Sequence, residues 1–300
     1  MEANILNKIK DISSLSRELI DQLFQRTAQI KEQWPNLSLN KNKTVCLLFW
    51  EPSTRTKLSF EHAAKKLGFK VIDFSPEHSS IKKGESLQDT IRTLLALKVD
   101  GFVIRHPEDK IINKISEWLP EDVFLINAGD GNHAHPTQAM LDVYTMQEHY
   151  QDLKNMALTI LGDSKHSRVI PSTITLLQKM GCNDVSFLGP KELIKNEFTP
   201  AYHQTNDGCL ANKDILYILR IQRERFLKSE SVNEDDFIAD FQVNNEFLKK
   251  TGFAGKLMHP GPINVGMEID ESTAESEQSI ILEQVENGLY VRTALLDLIA

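Results

Sequence analysis

Short apolar runs recur along the chain, separated by segments of helical length. Seven such runs are TVCLLFW (44–50), GFVIRH (101–106), VFLINAG (123–129), LTILGD (158–163), VSFLGP (185–190), DILYILRI (214–221) and KLMHP (256–260). In ESLQDTIRTLLALK the apolar period becomes helical and places four side chains on one face: Leu87, Ile91, Leu94 and Leu95. Strands that alternate with helices predict an α/β protein with parallel sheets.

The segment after the third run indicates how the sheet divides. Residues 138–156 are predicted to form one long helix that bridges two domains. The acidic stretch 267–278 has no apolar periodicity and is expected to be an exposed loop, whereas 279–300 is helical and returns to the core. We therefore expect two doubly wound α/β domains, each with a parallel sheet flanked by helices. They are residues 1–137, completed by helix 279–300, and residues 138–278.

The composition is that of a globular protein with an acidic balance. Hydrophobic residues make up 41% of the 300 positions, which allows a sizeable core. The formal charge of −8 argues against a general nucleic-acid binder and against an anionic-membrane binder, so any anion site must be local. The N-terminal residues have no signal-peptide pattern and no apolar run approaches a membrane span, which makes a cytoplasmic protein the default expectation.

Cysteine usage predicts neither a disulfide framework nor a zinc site. Cys46, Cys182 and Cys209 lie far apart, without a CxxC pair and without histidine at ligand spacing. Cys46 falls inside an apolar run, so we expect a reduced thiol in the core. No metal is predicted.

Polar residues are unusually dense directly after the first apolar run. Ser53, Thr54, Arg55 and Thr56 occupy four consecutive positions, and Gly68 is expected to close the following helix at its C′ position. The first turn of a helix after a parallel strand has unpaired N–H groups and a dipole that favours an anion, while an arginine can bind phosphate oxygens through two hydrogen bonds. The alternative is that Ser53 or Thr54 is only an N-cap and Arg55 a solvated charge.

A small phosphorylated ligand fits this stretch better than a nucleotide, because neither a P-loop nor a GxGxxG pattern follows any predicted strand. EPSTRTKLSFE (51–61) resembles the carbamoyl-phosphate motif of the aspartate and ornithine carbamoyltransferases. Further matching motifs follow in the same order over nearly the whole chain: KKGESLQDT (82–90), HPTQAMLD (135–142), GDSKHSRV (162–169), LRIQRERF (219–226) and HPGPINVGMEI (259–269).

The resemblance implies attack of an amine on the carbonyl of carbamoyl phosphate, for which fixed hydrogen-bond donors matter more than a nucleophilic side chain. It assigns catalytic roles to Arg55, Thr56, Arg105 and His135. The implied carbamoyl-phosphate ligands are Ser53, Thr54, Arg55, Thr56, Arg105, His135, Gln138, Gly261 and Pro262. By itself, Arg105 would be interpreted as a solvated charge at a strand end, and a His-Pro at a helix start is more often a capping or packing feature. His133 stays unassigned.

The second substrate is expected to be a dicarboxylic amino acid, because arginines recur on later strands and can each make a two-pronged contact with a carboxylate. The residues implied for aspartate are Lys83, Arg168, Arg220 and Gln222. In the family the matching lysine reaches a neighbouring subunit's site together with a loop serine, for which Ser79 and Ser80 are both candidates. The resemblance thus implies a homotrimer with shared active sites, in which residues 1–137 bind carbamoyl phosphate and 138–278 bind aspartate.

The choice of aspartate over ornithine depends on two short motifs. The patterns typical of ornithine enzymes at these places are HPCQ and HCLP. This chain has HPTQ and HPGP, without cysteine at either place. Many aspartate enzymes continue HPGP with Asn-Arg-Gly, and here Val265 stands at the arginine position. A cis bond is considered for Gly261–Pro262.

The implied activity is carbamoyl transfer to L-aspartate, giving N-carbamoyl-L-aspartate and phosphate for pyrimidine (UMP) biosynthesis, with no cofactor. Alternatives are a carbamoyltransferase for another amine such as ornithine, or a catalytically silent subunit that serves assembly. Higher assembly with a regulatory chain or a dihydroorotase stays open.

Overall fold

A computed structural model describes residues 7–76, 79–195, 201–203, 208–227 and 231–300. The chain divides into two compact units. Unit 1 comprises Met1–Tyr144, Pro171–Leu176 and Val285–Ala300, and unit 2 comprises Thr145–Ile170 and Leu177–Gln284. No helix within the described ranges is long and apolar enough to cross a membrane.

Within the described residues, each unit contains one five-stranded parallel sheet. In unit 1 the order is β1-β5-β4-β2-β3, with β1 (Lys8–Ile9), β2 (Thr44–Phe49), β3 (Lys70–Phe74), β4 (Gly101–His106) and β5 (Phe124–Asp130). In unit 2 the order is β10-β9-β6-β7-β8, with β6 (Ala157–Gly162), β7 (Asp184–Leu188), β8 (Ala201–His203), β9 (Ile215–Leu219) and β10 (Lys256–Met258). This confirms the predicted fold class of two α/β domains with parallel sheets.

Helices connect the strands and cover the sheets. Those in the described part of the chain are α1 (Arg17–Gln33), α2 (Thr54–Lys66), α3 (Leu87–Ala96), α4 (Ile111–Trp118), α5 (Pro136–His149), α6 (Val169–Met180), α7 (Glu234–Phe241), α8 (Asn245–Thr251), α9 (Glu271–Ala274) and α10 (Ile281–Ile299). The apolar face predicted for α3 is confirmed, because Ile91 and Leu94 are buried in a core that also contains Phe102 and Leu125 of β4 and β5.

The interior of β2 shows why its apolar run is continuous. Val45, Cys46, Leu47 and Leu48 are all fully buried, since a parallel strand between two others is covered on both faces. The Cys46 prediction is confirmed: its thiol is free, and burial raises its pKa to about 12. Gly68 adopts φ +78° just after the end of α2, as expected of a C′ residue.

Two predictions about elements need correction. The helix predicted over 138–156 ends at His149, and Asp152 then accepts a hydrogen bond from the Lys154 N–H (3.1 Å), which starts a separate 3₁₀ turn over Leu153–Asn155. The stretch 267–278 is not a wholly exposed loop. Glu268 is fully buried, and α9 forms within this stretch with the Asp270 side chain as its N-cap.

Candidate active site

The predicted phosphate-binding residues of unit 1 lie where the order of its sheet reverses. The chain leaves β2 toward β3 on one side and returns to β4 on the other, so the carboxyl ends of β2 and β4 border a crevice, as in other open α/β sheets. Phe49 at the end of β2 lies beside Arg105 near the end of β4. Residues 53–56 and Arg105, distant in sequence, therefore meet at one edge.

The start of α2 is built to hold an anion. Ser53 is the N-cap residue in extended conformation (φ −159°), but its side chain makes no capping hydrogen bond, and the first turn contains no acidic residue. Arg55 is exposed, whereas Thr56 is buried. The turn thus offers backbone N–H groups, hydroxyls and a guanidinium to a ligand, which favours the ligand interpretation over a simple cap.

Arg105 is held against the segment that leads into this turn. The Trp50 N–H donates to the Arg105 carbonyl oxygen (2.9 Å), and Arg105 Nε lies 3.4 Å from Glu51 Oε2. The side chain is mostly buried, with 15% of its surface exposed. Arg105 is therefore a second guanidinium fixed beside the first turn of α2, and not a strand-end charge in water.

His135 and Gln138 reach the same edge from β5. The Gly131 N–H donates to the carbonyl of His106 (2.9 Å), which joins the carboxyl ends of β4 and β5. His135 is buried immediately before α5, and its N–H donates to Ser172 Oγ (3.0 Å) while its carbonyl accepts from the Gln138 N–H (3.1 Å). His135 thus lies just before α5 and Gln138 in its first turn.

Two histidines next to these residues were not assigned from sequence. His133 Nδ1 donates to the buried Asp130 carboxylate (3.0 Å), which also accepts from Asn127, so His133 braces the loop. His106 packs 5.0 Å from the Trp50 ring, and its Nδ1 accepts from the Glu108 N–H (3.0 Å). Burial lowers the pKa of His106, which keeps it neutral at pH 7.

Unit 2 repeats the topological arrangement between β6 and β9. The chain proceeds from β6 to β7 and β8 on one side and from β9 to β10 on the other. The buried Asp163 carboxylate accepts from His166 Nδ1 (2.9 Å) and from the Gln222 N–H (3.0 Å). This one carboxylate ties together the loops that follow β6 and β9, and with them the segments that carry Arg168 and Gln222.

Arg168 and Arg220 stand on these two loops. Arg168 is buried directly before α6, and Arg220 is partly exposed after β9. The guanidinium of Arg220 is hydrogen-bonded through both terminal nitrogens to Glu224, with Nη1 3.1 Å from Oε2. Burial raises the pKa of Glu224 in part, but hydrogen bonds from Arg220 and the backbone lower it overall. Arg220 already shows the two-pronged geometry that carboxylate recognition requires.

The turn that carries Gly261 and Pro262 is organised by a buried pair. The Gly261 N–H donates to His259 Nδ1 (2.8 Å), so the network assigns the proton to Nε2, which donates to Glu268 Oε1 (3.1 Å). The same oxygen accepts from the Asn264 N–H (2.7 Å). The Gly261–Pro262 bond is cis, as considered from the sequence, and Val265 is 60% exposed.

Lys83 is not joined to these groups in the structure. It is exposed at the end of the 3₁₀ turn Ser80–Lys83, and it makes no hydrogen bond or ion pair with any described residue. Ser79 Oγ donates to the Pro76 carbonyl (2.8 Å) and accepts from the Ile81 N–H (3.3 Å), so this hydroxyl stabilises the turn. The side chain of Ser80 lies outside the described set.

No group of three or more histidine, cysteine, aspartate or glutamate side chains in the described ranges is arranged to hold a metal ion. The arrangement is instead rich in cations and fixed donors. It is suited to binding anionic ligands and to stabilising negative charge that develops on an oxygen.

Comparison with known proteins covers both units. Residues 7–148 match the model of the aspartate/ornithine carbamoyltransferase carbamoyl-P binding domain, and residues 154–299 match the Asp/Orn binding domain. The chain is 38% identical over 301 residues to the aspartate carbamoyltransferase catalytic subunit of Stenotrophomonas maltophilia (strain R551-3), covering 97% of this chain and 95% of the relative. It is 39% identical over 291 residues to that of Legionella pneumophila (strain Corby), covering 96% and 97%.

Solved structures show the same similarity over nearly the whole chain. Aspartate transcarbamoylase from Trypanosoma cruzi in complex with carbamoyl phosphate and aspartate superposes with a TM-score of 0.86 at 28% identity, covering 98% of this chain and 97% of that chain. The same enzyme in complex with carbamoyl aspartate and phosphate gives a TM-score of 0.87 with the same identity and coverage.

Proposed function

This chain belongs to the aspartate/ornithine carbamoyltransferase family, and we propose that it transfers the carbamoyl group of carbamoyl phosphate to the amine of L-aspartate. The products are N-carbamoyl-L-aspartate and phosphate, and the former enters pyrimidine (UMP) synthesis. One observation carries the proposal: Arg55 at the start of α2 and Arg105 at the end of β4 border the crevice where the order of the sheet reverses.

Unit 1 supplies the groups that the reaction needs at carbamoyl phosphate. The aspartate amine attacks the carbonyl carbon and negative charge develops on the carbonyl oxygen; the bond to the phosphate oxygen then breaks, and a proton of the amine passes to the leaving phosphate. Thr56 and His135 donate to the carbonyl oxygen, while Arg55, Arg105 and the N–H groups of α2 take up charge on the leaving phosphate. Ser53 and Thr54 add hydroxyl donors to the phosphate, and Gln138 accepts from the carbamoyl NH₂.

Unit 2 supplies the groups that select aspartate. Arg168 and Arg220 each bind one carboxylate, and Gln222, held through its N–H by Asp163, supports the same site. Gly261 and Pro262 are further carbamoyl-phosphate ligands implied by the family resemblance, and their turn is fixed by His259 and Glu268. A positively charged site suits a dicarboxylate and opposes the side-chain ammonium of ornithine.

The proposal extends to assembly and location. We place Lys83 in the active site of a neighbouring subunit, because its ammonium is exposed on a turn and has no hydrogen-bond or ion-pair partner among the described residues. A closed homotrimer repeats that contact at every interface. The free thiols of Cys46 and Cys182 are both buried and suit a cytoplasmic protein.

The test is a colourimetric assay for carbamoylated product with carbamoyl phosphate and either aspartate or ornithine, combined with a sizing measurement. We expect carbamoyl-aspartate at a kcat/KM at least about a thousandfold above that for ornithine, from a species of trimer size. Preference for ornithine would establish the other branch of the family. Absence of turnover with both amines, in a folded protein that binds phosphate, would identify a silent subunit.

A further inference from the structure

The side-chain amide of Gln138 has a fixed orientation. Its Nε2 donates to Asp142 Oδ1 (3.0 Å), one helical turn further along α5. Because an ionised carboxylate only accepts hydrogen bonds, the nitrogen of the amide must be the atom that faces Asp142. The oxygen, which also only accepts, is therefore the atom that Gln138 offers to a ligand.

Asp142 is fully buried, and its charge is balanced from another helix. Arg292 of α10 is also buried; burial lowers the pKa of its guanidinium to about 10, and attraction to the Asp142 carboxylate raises it in opposition. Arg292 is therefore the cation that opposes the buried charge of the Asp142 carboxylate. The hydrogen bond from Nε2 to the Asp142 carboxylate keeps the Gln138 amide from turning over.

The same arginine is linked to the first turn of α2. Arg292 Nη1 donates to Ser59 Oγ (2.8 Å), and Ser59 Oγ donates to the Thr56 carbonyl (3.0 Å). The guanidinium also lies 5.4 Å from the centre of the Phe60 ring. Part-buried hydrogen bonds thus link the turn that carries Thr56 to Arg292, which is attracted to Asp142, the acceptor of the Gln138 amide.

We infer that Asp142 is a positioning residue that makes this site select a phosphorylated ligand carrying an NH₂ group over an isostere with a methyl group in that place. The inference rests on the proposed function. With its oxygen presented, Gln138 accepts a hydrogen bond from the NH₂ of a carbamoyl group. A methyl group leaves that oxygen without a donor, and sites that hydrogen-bond a ligand group reject analogues that lack it.

The experiment uses two hydrolytically stable probes of the same shape, phosphonoacetamide and 2-oxopropylphosphonate, which differ by NH₂ against CH₃. Calorimetric titration of the wild-type protein should give a preference of about tenfold to a hundredfold for the amide. In Asp142→Asn the side chain can either donate or accept, so Gln138 can turn its amide over. The preference should then fall about tenfold through weaker amide binding, with inorganic phosphate binding unchanged.

Asp142→Asn leaves the buried charge of Arg292 without its counterion, so the same titrations are run on Asp142→Asn/Arg292→Met, which removes both charges. Ser59→Ala is the matched control, because it takes a hydrogen-bond partner from Arg292 and leaves Asp142 in place; its preference should equal that of wild type. An unchanged preference in both Asp142 variants, or equal weakening of the two probes, would overturn the inference. A wild-type protein that binds neither probe nor phosphate would instead contradict the proposed function.

Discussion

Arg55 occupies a position where the helix that carries it disfavours a cation. It lies in the first turn of α2, where the macrodipole is positive, and it makes no hydrogen bond or ion pair with any described residue. Arg55→Ala removes an unfavourable charge–dipole interaction and introduces the best helix former. We therefore expect the free protein to become more stable, by about 0.3–1 kcal/mol.

Activity should move in the opposite direction. If Arg55 binds the phosphate that leaves in the reaction, its removal takes away a charge-assisted interaction that strengthens in the transition state. The expected loss in kcat is about a thousandfold, or about 4 kcal/mol. Saturating inorganic phosphate at 100 times its Kd should stabilise the wild type by about 2.7 kcal/mol, and this stabilisation should be largely lost in the variant.

Lys57→Ala provides a matched control on the same helix. Lys57 forms a surface ion pair with Asp73 (2.7 Å), so its removal should cost about 0–1 kcal/mol of stability and leave turnover near normal. Thermal unfolding with and without phosphate, together with the carbamoyl-aspartate assay, separates the two variants. Turnover of Arg55→Ala within tenfold of wild type, or an equal loss in Lys57→Ala, would refute the phosphate assignment.

Three further predictions concern other parts of the proposed site. Arg220→Ala should raise the KM for aspartate about tenfold to a hundredfold while changing that for carbamoyl phosphate little, because it binds only the second substrate; an equal rise in both steady-state KM values would contradict this. Refolding a mixture of inactive Lys83→Ala and Arg55→Ala chains should restore activity in separated hybrids, where an intact Lys83 meets an intact Arg55 across an interface. Hybrids as inactive as both parents would end the shared-site proposal. Glu268→Ala should lose at least about 1–3 kcal/mol in urea unfolding, because the buried His259 Nε2–H and the part-buried Asn264 N–H lose their acceptor, whereas Glu268→Gln should stay within about 1 kcal/mol. Equal losses in these two variants would show that the buried hydrogen bonds are not what stabilises the turn.

The strands that sequence alone revealed are mainly those covered on both faces. β2, β4, β5, β6, β7 and β9 lie inside their sheets, so their sequences are continuous apolar runs. The three strands that were not predicted, β1, β3 and β8, are all edge strands. The residues of β3 are only partly buried or exposed, which removes the apolar run. β10 is an edge strand that was predicted, because Leu257 and Met258 are fully buried.

Ser53 to Thr56 were predictable as candidate site residues because their chemistry is local and dense, and Arg105 and His135 were predictable through the family resemblance. The carboxylates that position them were not. Asp142, Asp163 and Glu268 are indistinguishable in sequence from solvated acids, and Glu268 even lies in a stretch expected to be exposed. Distant segments supply the Gln222 N–H that binds Asp163 and the Arg292 charge that opposes Asp142, whereas Glu268 is bound by the nearby His259 and Asn264. The pattern of residues along one sequence does not show which distant residues will contact each other.

The burial of these carboxylates explains how a protein with a net negative charge can bind anionic ligands. A carboxylate near the crevice would repel phosphate and aspartate, yet only acceptors can orient N–H and amide donors. Asp163 directs its oxygens to His166 and to the Gln222 N–H, and Asp142 directs one to the Gln138 amide. Both carboxylates are fully buried, so their oxygens accept hydrogen bonds only from donors inside the protein. At the edge of the unit 1 sheet, a ligand instead meets the positive charge of Arg55 and Arg105. A net charge of −8 is therefore compatible with anion binding. The electrostatic field at the ligand site depends on where the carboxylates lie and how deeply they are buried, and not on how many there are.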